Sequence, residues 1–245
     1  MPYRRLPKTD LARMRALENA VCKDGTYHEG KIVITYHSAQ EARFLLGRFK
    51  RAHAQYMQSY EMQAKASKKY RSAVKTARTY LSHFIQVLNM CFIRKELKKE
   101  YRAMYELQAD TNTGPDLSLE SSLLEWGNKI ITGETERIKK GGIPIYNPTI
   151  AKVKVHFDIF VEAYHSQKTL QQNTARHLDA LSAMRPEADT LILSIWNQVE
   201  AVYDGEPINQ KIEKTSSFGV VYYYRPGEQL LQKMNKLQQK ICFDD

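Results

Sequence analysis

A chain of 245 residues with 42% hydrophobic and 26% charged residues is globular in composition and long enough for one large domain or two small ones. Eleven glycines and eight prolines are few and favour helices, and three cysteines without short spacing argue against a disulfide framework or a zinc site and fit a reducing, cytoplasmic setting. The net charge of +10 sits almost wholly between Arg48 and Arg102, where 14 Lys/Arg face only Glu61, Glu96 and Glu100; such asymmetry marks a face that meets something negative.

The opening MPYRRLPKTD has no apolar core, so no secretory signal is expected. Thr9-Asp10 can cap a short helix over Leu11–Cys22, which Asp24-Gly25 ends. The β-branched run Lys31–Tyr36 reads as a strand. From Ser38 to about Ala109 only Gly47 interrupts a helical pattern, with apolar stripes at Ala42, Leu45, Phe49, Ala52 and again at Ala77, Tyr80, Phe84, Val87. One straight helix of that span would be roughly 105 Å long, so two helices folded back at a turn within Ala66–Lys75 are expected.

Gly114-Pro115-Asp116 is a loop. Leu119–Lys140 reads as an amphipathic helix stopped by Gly141-Gly142. Pro148-Thr149 opens a long helix reaching about Met184, and Pro186 suits the first turn of the next, over Glu187–Tyr203. The tail holds a strand candidate, Phe218–Arg225, expected to pair with Lys31–Tyr36, and a last short helix over Glu228–Lys240. No run approaches 18 apolar residues, so no membrane span is expected.

Sliding the chain by 111 residues aligns Tyr36–Met90 with Asn147–Ala201 without a gap, matching Phe49 to Phe160, Ala77 to Ala188 and Leu88 to Val199. This reads as an internal repeat whose copies have diverged in charge, with ten Lys/Arg and two acids in the first and five and six in the second. The fold class expected is all-α: two related long helical hairpins forming a bundle, with a minor β element near the termini. Residues 1–113 would be the basic N-terminal hairpin region and 114–245 the C-terminal hairpin region with its strand and tail.

The segments MPYRRLPKTD, YLSHFIQVLNM (Tyr80–Met90), WGNKIITGE (Trp126–Glu134), GGIPIYNPTIAKVKVHF (Gly141–Phe157), SIWNQVE (Ser194–Glu200) and FGVVYYYR together resemble an uncharacterised family of soluble all-helical bacterial proteins. The resemblance implies the helical fold and, the family having no assigned activity, transfers no site residues. The chain departs from the family where it has Arg94-Lys95-Glu96 for Arg-Gly-Glu and Glu106 for Gly. Both departures suggest an altered turn after the first hairpin.

Catalytic and metal motifs are weak. Glu162-Ala163-Tyr164-His165 has the E-x-x-H spacing of bundle metal sites, but its repeat-equivalent positions, Arg51 and Ala54, cannot ligate. Ser82 and His83 point about 100° apart on a helix. Cys91 lies on an apolar stripe. Lys139-Lys140-Gly141-Gly142 closes a helix, whereas a phosphate loop would open one. The chain is therefore expected to be no enzyme and to need no cofactor and no metal.

The basic residues carry the functional expectation. Lys68, Arg71, Lys75 and Arg78 repeat at 3-4-3, and Arg94, Lys95, Lys98, Lys99 and Arg102 form a second cluster. Solvation alone would mix both signs. The leading expectation is a structural subunit or adaptor. It would assemble with copies of itself or with other proteins by setting this face against an acidic counter-surface of Glu187, Asp189, Glu200, Asp204, Glu206 and Asp244-Asp245. A ring or connector like those at virion head–tail junctions, formed in the cytoplasm, would fit. The alternative is non-specific nucleic-acid binding, with tyrosines such as Tyr56, Tyr60, Tyr101 and Tyr105 stacking on bases.

Overall fold

Six α-helices, one 3-10 helix and four two-residue strands make up the described part of the computed structural model, residues 2–23, 27–28, 30–107 and 114–225. The fold is all-helical with a minor antiparallel β element near the termini. Helix α1 covers Asp10–Cys22, and the Thr9 hydroxyl caps it by accepting from the Ala12 amide at 3.2 Å. Helix α2 covers Tyr36–Ile93, α3 Glu120–Lys139, α4 Ile150–Ala183, α5 Arg185–Val202 and α6 Ile208–Ser217.

The chain reversal expected within Ala66–Lys75 does not occur: α2 is one helix of 58 residues. Good helix formers (Ala64, Lys65, Ala66, Lys68, Lys69) fill the stretch and nothing there breaks hydrogen bonding, so local propensity prevails over the usual limit on helix length. The helix ends at Ile93, short of Ala109, and a 3-10 helix follows over Lys99–Tyr105. Between α4 and α5 only Met184 intervenes, and its backbone stays right-handed helical (φ −87, ψ −11). The adjacent Pro186 accounts for the break, since its ring clashes with the carbonyl four residues back.

The strands also differ from expectation. In Lys31–Tyr36 only Lys31–Ile32 is strand (β3), paired with Tyr27–His28 (β2). Val33 and Ile34 are buried as irregular chain, and Tyr36 already opens α2. In Phe218–Arg225 only Tyr222–Tyr223 (β4) is strand, and its partner is Tyr3–Arg4 (β1) instead of Lys31–Tyr36. Gly219 at φ +90 interrupts the extended run, and Phe218 and Val220 on either side are drawn into the core. Helix α6 has no forerunner in the sequence pattern; it buries only Thr215, so it has no apolar stripe to read. The helix expected over Glu228–Lys240 lies outside the described residues.

Packing divides the chain into two compact units, Met1–Met57 with Arg176–Asp245, and Gln58–Ala175. The core of the first gathers Leu17 of α1, Ala42, Leu45 and Phe49 of α2, and Ile192, Trp196 and Val199 of α5. The core of the second gathers Leu81, Phe84 and Leu88 of α2, Leu123 and Ile130 of α3, and Val153, Phe157 and Phe160 of α4. The 111-residue offset is also a register in burial. Ala42 and Val153, Leu46 and Phe157, Phe49 and Phe160, Ala77 and Ala188, Leu81 and Ile192, Phe84 and Ile195, and Leu88 and Val199 are buried pairwise. Each unit thus combines the first half of one aligned stretch with the second half of the other.

Two helix ends show how the caps differ. After α3 the Gly142 amide donates to the Arg137 carbonyl and the Gly141 amide to that of Ile138, with Gly141 left-handed at φ +86. After α2 the Glu96 amide donates to the Cys91 carbonyl and the Lys95 amide to that of Phe92, the same double cap. Here Lys95 takes the left-handed position at φ 61, and Glu106 does so at φ 53 after the 3-10 helix; they are the non-glycine residues with positive φ among those described. The left-handed backbone puts each under strain of about 1–2 kcal/mol, because both carry a side chain. Lys95→Gly is expected to raise stability by about 0.5–1 kcal/mol after the added freedom of the unfolded chain is subtracted. Glu106→Gly should gain less, because it removes the 2.9 Å pair with Lys129. Urea melts check both, and a Lys95→Gly loss would refute the strain.

Candidate functional site

In the second unit the Lys68, Arg71, Lys75 stripe lies on a continuous helix and is exposed. Successive residues turn by about 100°, so Lys68, Lys75 and Thr79 fall within about 20° of one line, with Arg71 to one side and His83 to the other. Among the described residues no carboxylate lies within ion-pair distance of Lys68, Arg71 or Lys75. Arg78 is half-buried, and its Nη2 donates to the Ser118 carbonyl at 2.8 Å, which ties it to the loop before α3.

The second basic cluster is divided. Arg94, Lys95, Lys98 and Lys99 are exposed, and Arg94 sits 3.7 Å from Glu96. Arg102 does not belong with them. It is only 4% exposed, its Nη2 donates to the Asn89 Oδ1 at 3.4 Å, and its guanidinium lies 4.9 Å from the Phe92 ring centroid. The turn of the 3-10 helix places position 102 inward, where a planar cation on an aromatic face is satisfied without water. Of the stacking candidates, Tyr105 is fully buried, Tyr101 and Tyr56 are half-buried, and Tyr60 is exposed.

The second unit also holds a buried ionic network that the sequence pattern does not single out. Glu134 and Arg137 of α3 are 0% and 1% exposed. Arg137 Nη2 donates to Glu134 Oε1 at 2.7 Å and Nε donates to Glu134 Oε2 at 2.9 Å. The Tyr105 hydroxyl donates to Glu134 Oε2. Burial, then this hydrogen bond to Glu134, pushes the Tyr105 hydroxyl well above its usual range. The hydrogen bonds to Glu134 hold Arg137 more firmly protonated still. A signal was present: Leu123, Gly127, Ile130, Glu134 and Arg137 continue one 4-3-4-3 stripe, so the last two fall on the buried face.

The network also grips the loop between α3 and α4. Arg137 Nη2 donates to the Ile143 carbonyl at 2.8 Å, and the Ile145 amide donates to Glu134 Oε1 at 3.3 Å. Ile145 is buried, Tyr146 beyond it is 75% exposed, and Pro148 is buried again. Tyr146 is thereby projected from an anchored backbone. It lines a cleft of about 460 Å³ with Thr79, Tyr80, His83, Asn147 and Lys152. The Tyr80 ring stacks on His156 at 4.2 Å, and the Lys152 ammonium lies 5.4 Å from the Tyr80 centroid.

Other candidates stay apart. Glu162 and His165 are exposed on α4, and among the described residues no group of three or more His, Cys, Asp or Glu could hold a metal ion. Cys22 is exposed and Cys91 half-buried, both as free thiols. No helix of the described residues is long and apolar enough to cross a membrane. No protein-family model, curated protein or solved structure matches the chain.

Proposed function

We propose that this chain is a non-catalytic, cytoplasmic binding protein that holds a nucleic-acid backbone along the exposed basic face of α2 in its second unit. The observation that carries the reading is the contrast in ion pairing. Lys68, Arg71 and Lys75 have no carboxylate partner among the described residues. The acids expected to receive them in a self-assembly are engaged within their own chain. Asp189 meets Arg13 at 2.8 Å, Glu200 meets Arg4 at 2.9 Å, Asp204 meets Lys211 at 2.7 Å, Glu187 meets Arg48 at 3.3 Å, and Glu206 meets Lys214. Asp244-Asp245 lie outside the described residues. These pairs leave the acids less available to an assembly through complementary charge, whereas a polyanion from outside need only displace counterions.

The test is fluorescence anisotropy with a labelled oligonucleotide over a salt series, on the wild type and on the triple variant Lys68→Glu/Arg71→Glu/Lys75→Glu. Binding should weaken at every sequence, and the slope of log K against log salt should flatten by about 2–3, at roughly 0.7–0.9 for each phosphate that is no longer neutralised. Light scattering on the same samples reads the assembly alternative. Nucleic-acid binding that is unchanged in the triple variant, or oligomers that only the wild type forms without nucleic acid, would overturn the proposal.

A further inference from the structure

We infer that the cleft of Tyr80, His83, Tyr146, Asn147 and Lys152 receives an unpaired nucleobase, so that the ligand is single-stranded nucleic acid. This rests on the nucleic-acid reading above and specifies its ligand. Three observations lead there. First, the basic stripe runs into the cleft on the same helix, since Thr79 stands in line with Lys68 and Lys75 and lines it. Lys68 and His83 are separated by about 22 Å of helix at 1.5 Å per residue, a length suited to the smallest single-strand sites, about 4 nucleotides.

Second, the cleft offers what a base and its phosphate require. Tyr146 is a wide aromatic face turned to solvent on a backbone that Glu134 and Arg137 hold in place. Such a ring gains by stacking and loses little conformational entropy in doing so. The amide of Asn147 and the imidazole of His83 supply donors and acceptors for a base edge, and Lys152 supplies a cation. A duplex can offer a base to a recess of about 460 Å³ only by unpairing and unstacking it, at a cost of a few kcal/mol.

Third, the repeat provides an internal comparison. The first unit has a cleft of about 610 Å³ lined in part by Glu41, Phe44, Glu187, Thr190, Leu191 and Ser194. At the 111-residue offset Thr190 answers to Thr79, Leu191 to Tyr80, Ser194 to His83, and Glu41 to Lys152. The two recesses share these four positions, but the first carries Glu41 and Glu187 beside Phe44 and Leu191, and the second carries Lys152 and His83 beside Tyr80 and Tyr146. Packing of the helices accounts for both recesses; it does not account for Lys152, Tyr80 and His83 standing together in the second.

The experiment compares a labelled single strand with the same sequence as duplex, on the wild type and on Tyr146→Ala, with Phe44→Ala in the acidic cleft as control. A 2-aminopurine base in the strand reports stacking directly. The wild type should prefer the single strand at least tenfold and quench the 2-aminopurine. Tyr146→Ala should lose about 5- to 150-fold in single-strand affinity, the equivalent of one stacked base, and lose the quenching. Its salt slope, duplex binding and melting temperature should stay those of the wild type, because the removed ring is exposed; Phe44→Ala should bind as the wild type does. Equal binding of duplex and single strand, or a Tyr146→Ala protein that still binds and quenches, would overturn the cleft assignment while leaving the basic-face reading standing. Failure of the wild type to bind either form would overturn both.

Discussion

Glu134→Ala is expected to lower stability by about 3–5 kcal/mol, the range for a buried ion pair stripped of one partner. The removed carboxylate satisfies Arg137 through two hydrogen bonds, the Tyr105 hydroxyl, and the Ile145 amide at once. Arg137 keeps the Ile143 carbonyl and the Tyr105 hydroxyl, at 2.8 and 2.9 Å, but retains an uncompensated charge in a site closed to water. Tyr105→Phe removes a neutral hydroxyl that donates to Glu134 and accepts from Arg137, and should cost about 1.5–3 kcal/mol. Replacing both charges together, Glu134→Leu with Arg137→Met, should be milder than Glu134→Ala, because no lone charge is left behind. Urea melts of the three variants give the order, and a Glu134→Ala protein within about 1 kcal/mol of the wild type would show that water reaches Arg137 after all. Since a domain of ordinary stability has about 5–15 kcal/mol in total, the single variant would be visibly compromised.

The loop that carries Tyr146 hangs on the same bonds. Two backbone groups, at Ile143 and Ile145, are held by the network, and the exposed ring follows directly. A surface feature is thus set by chemistry in the core, and sequence alone hides the link. Glu134 and Arg137 are three apart, the spacing of an ordinary surface pair on a helix. Only their place on the apolar stripe of α3 distinguishes them. Arg102 misleads for the related reason that a cation in a basic run looks solvated until the 3-10 helix is known to turn it inward.

Features governed by local rules were legible. Thr9 caps α1, Gly141 closes α3, and Pro186 sits at the start of α5. The apolar stripes of α2 and α4 are buried in the register of the repeat, down to the pairing of Phe49 with Phe160. What required tertiary information was not legible. The partner of β4 is the N-terminal strand, more than 200 positions away, and no local signal selects it over Lys31–Ile32. Helix α6 forms although it buries a single residue. The basic stripe was legible as a pattern, but its lack of carboxylate partners among the described residues, and the engagement of the acids expected to meet it, depend on which side chains come together in the fold.

Ser72→Pro is expected to cost at least about 3 kcal/mol, which makes it the test of α2 as one helix. Ser72 is exposed and lies midway in the stretch where the sequence suggests a turn, so the substitution disturbs no core packing. In a continuous helix, proline removes the amide that bonds to the carbonyl of Lys68 and drives its ring against that same carbonyl. In a turn, the same residue would be tolerated or even favoured. Ser72→Ala separates the two effects: it deletes the hydroxyl, keeps the amide, and should gain a few tenths of a kcal/mol from helix propensity. The kink would also carry Lys68 out of line with Lys75 and Thr79. On the proposed single-strand reading, the proline variant should therefore lose part of its salt-dependent affinity, whereas Ser72→Ala should not. A proline variant that melts with the wild type would mean that the chain does reverse between Ala66 and Lys75, and the basic residues would then cluster at a tip instead of forming a track.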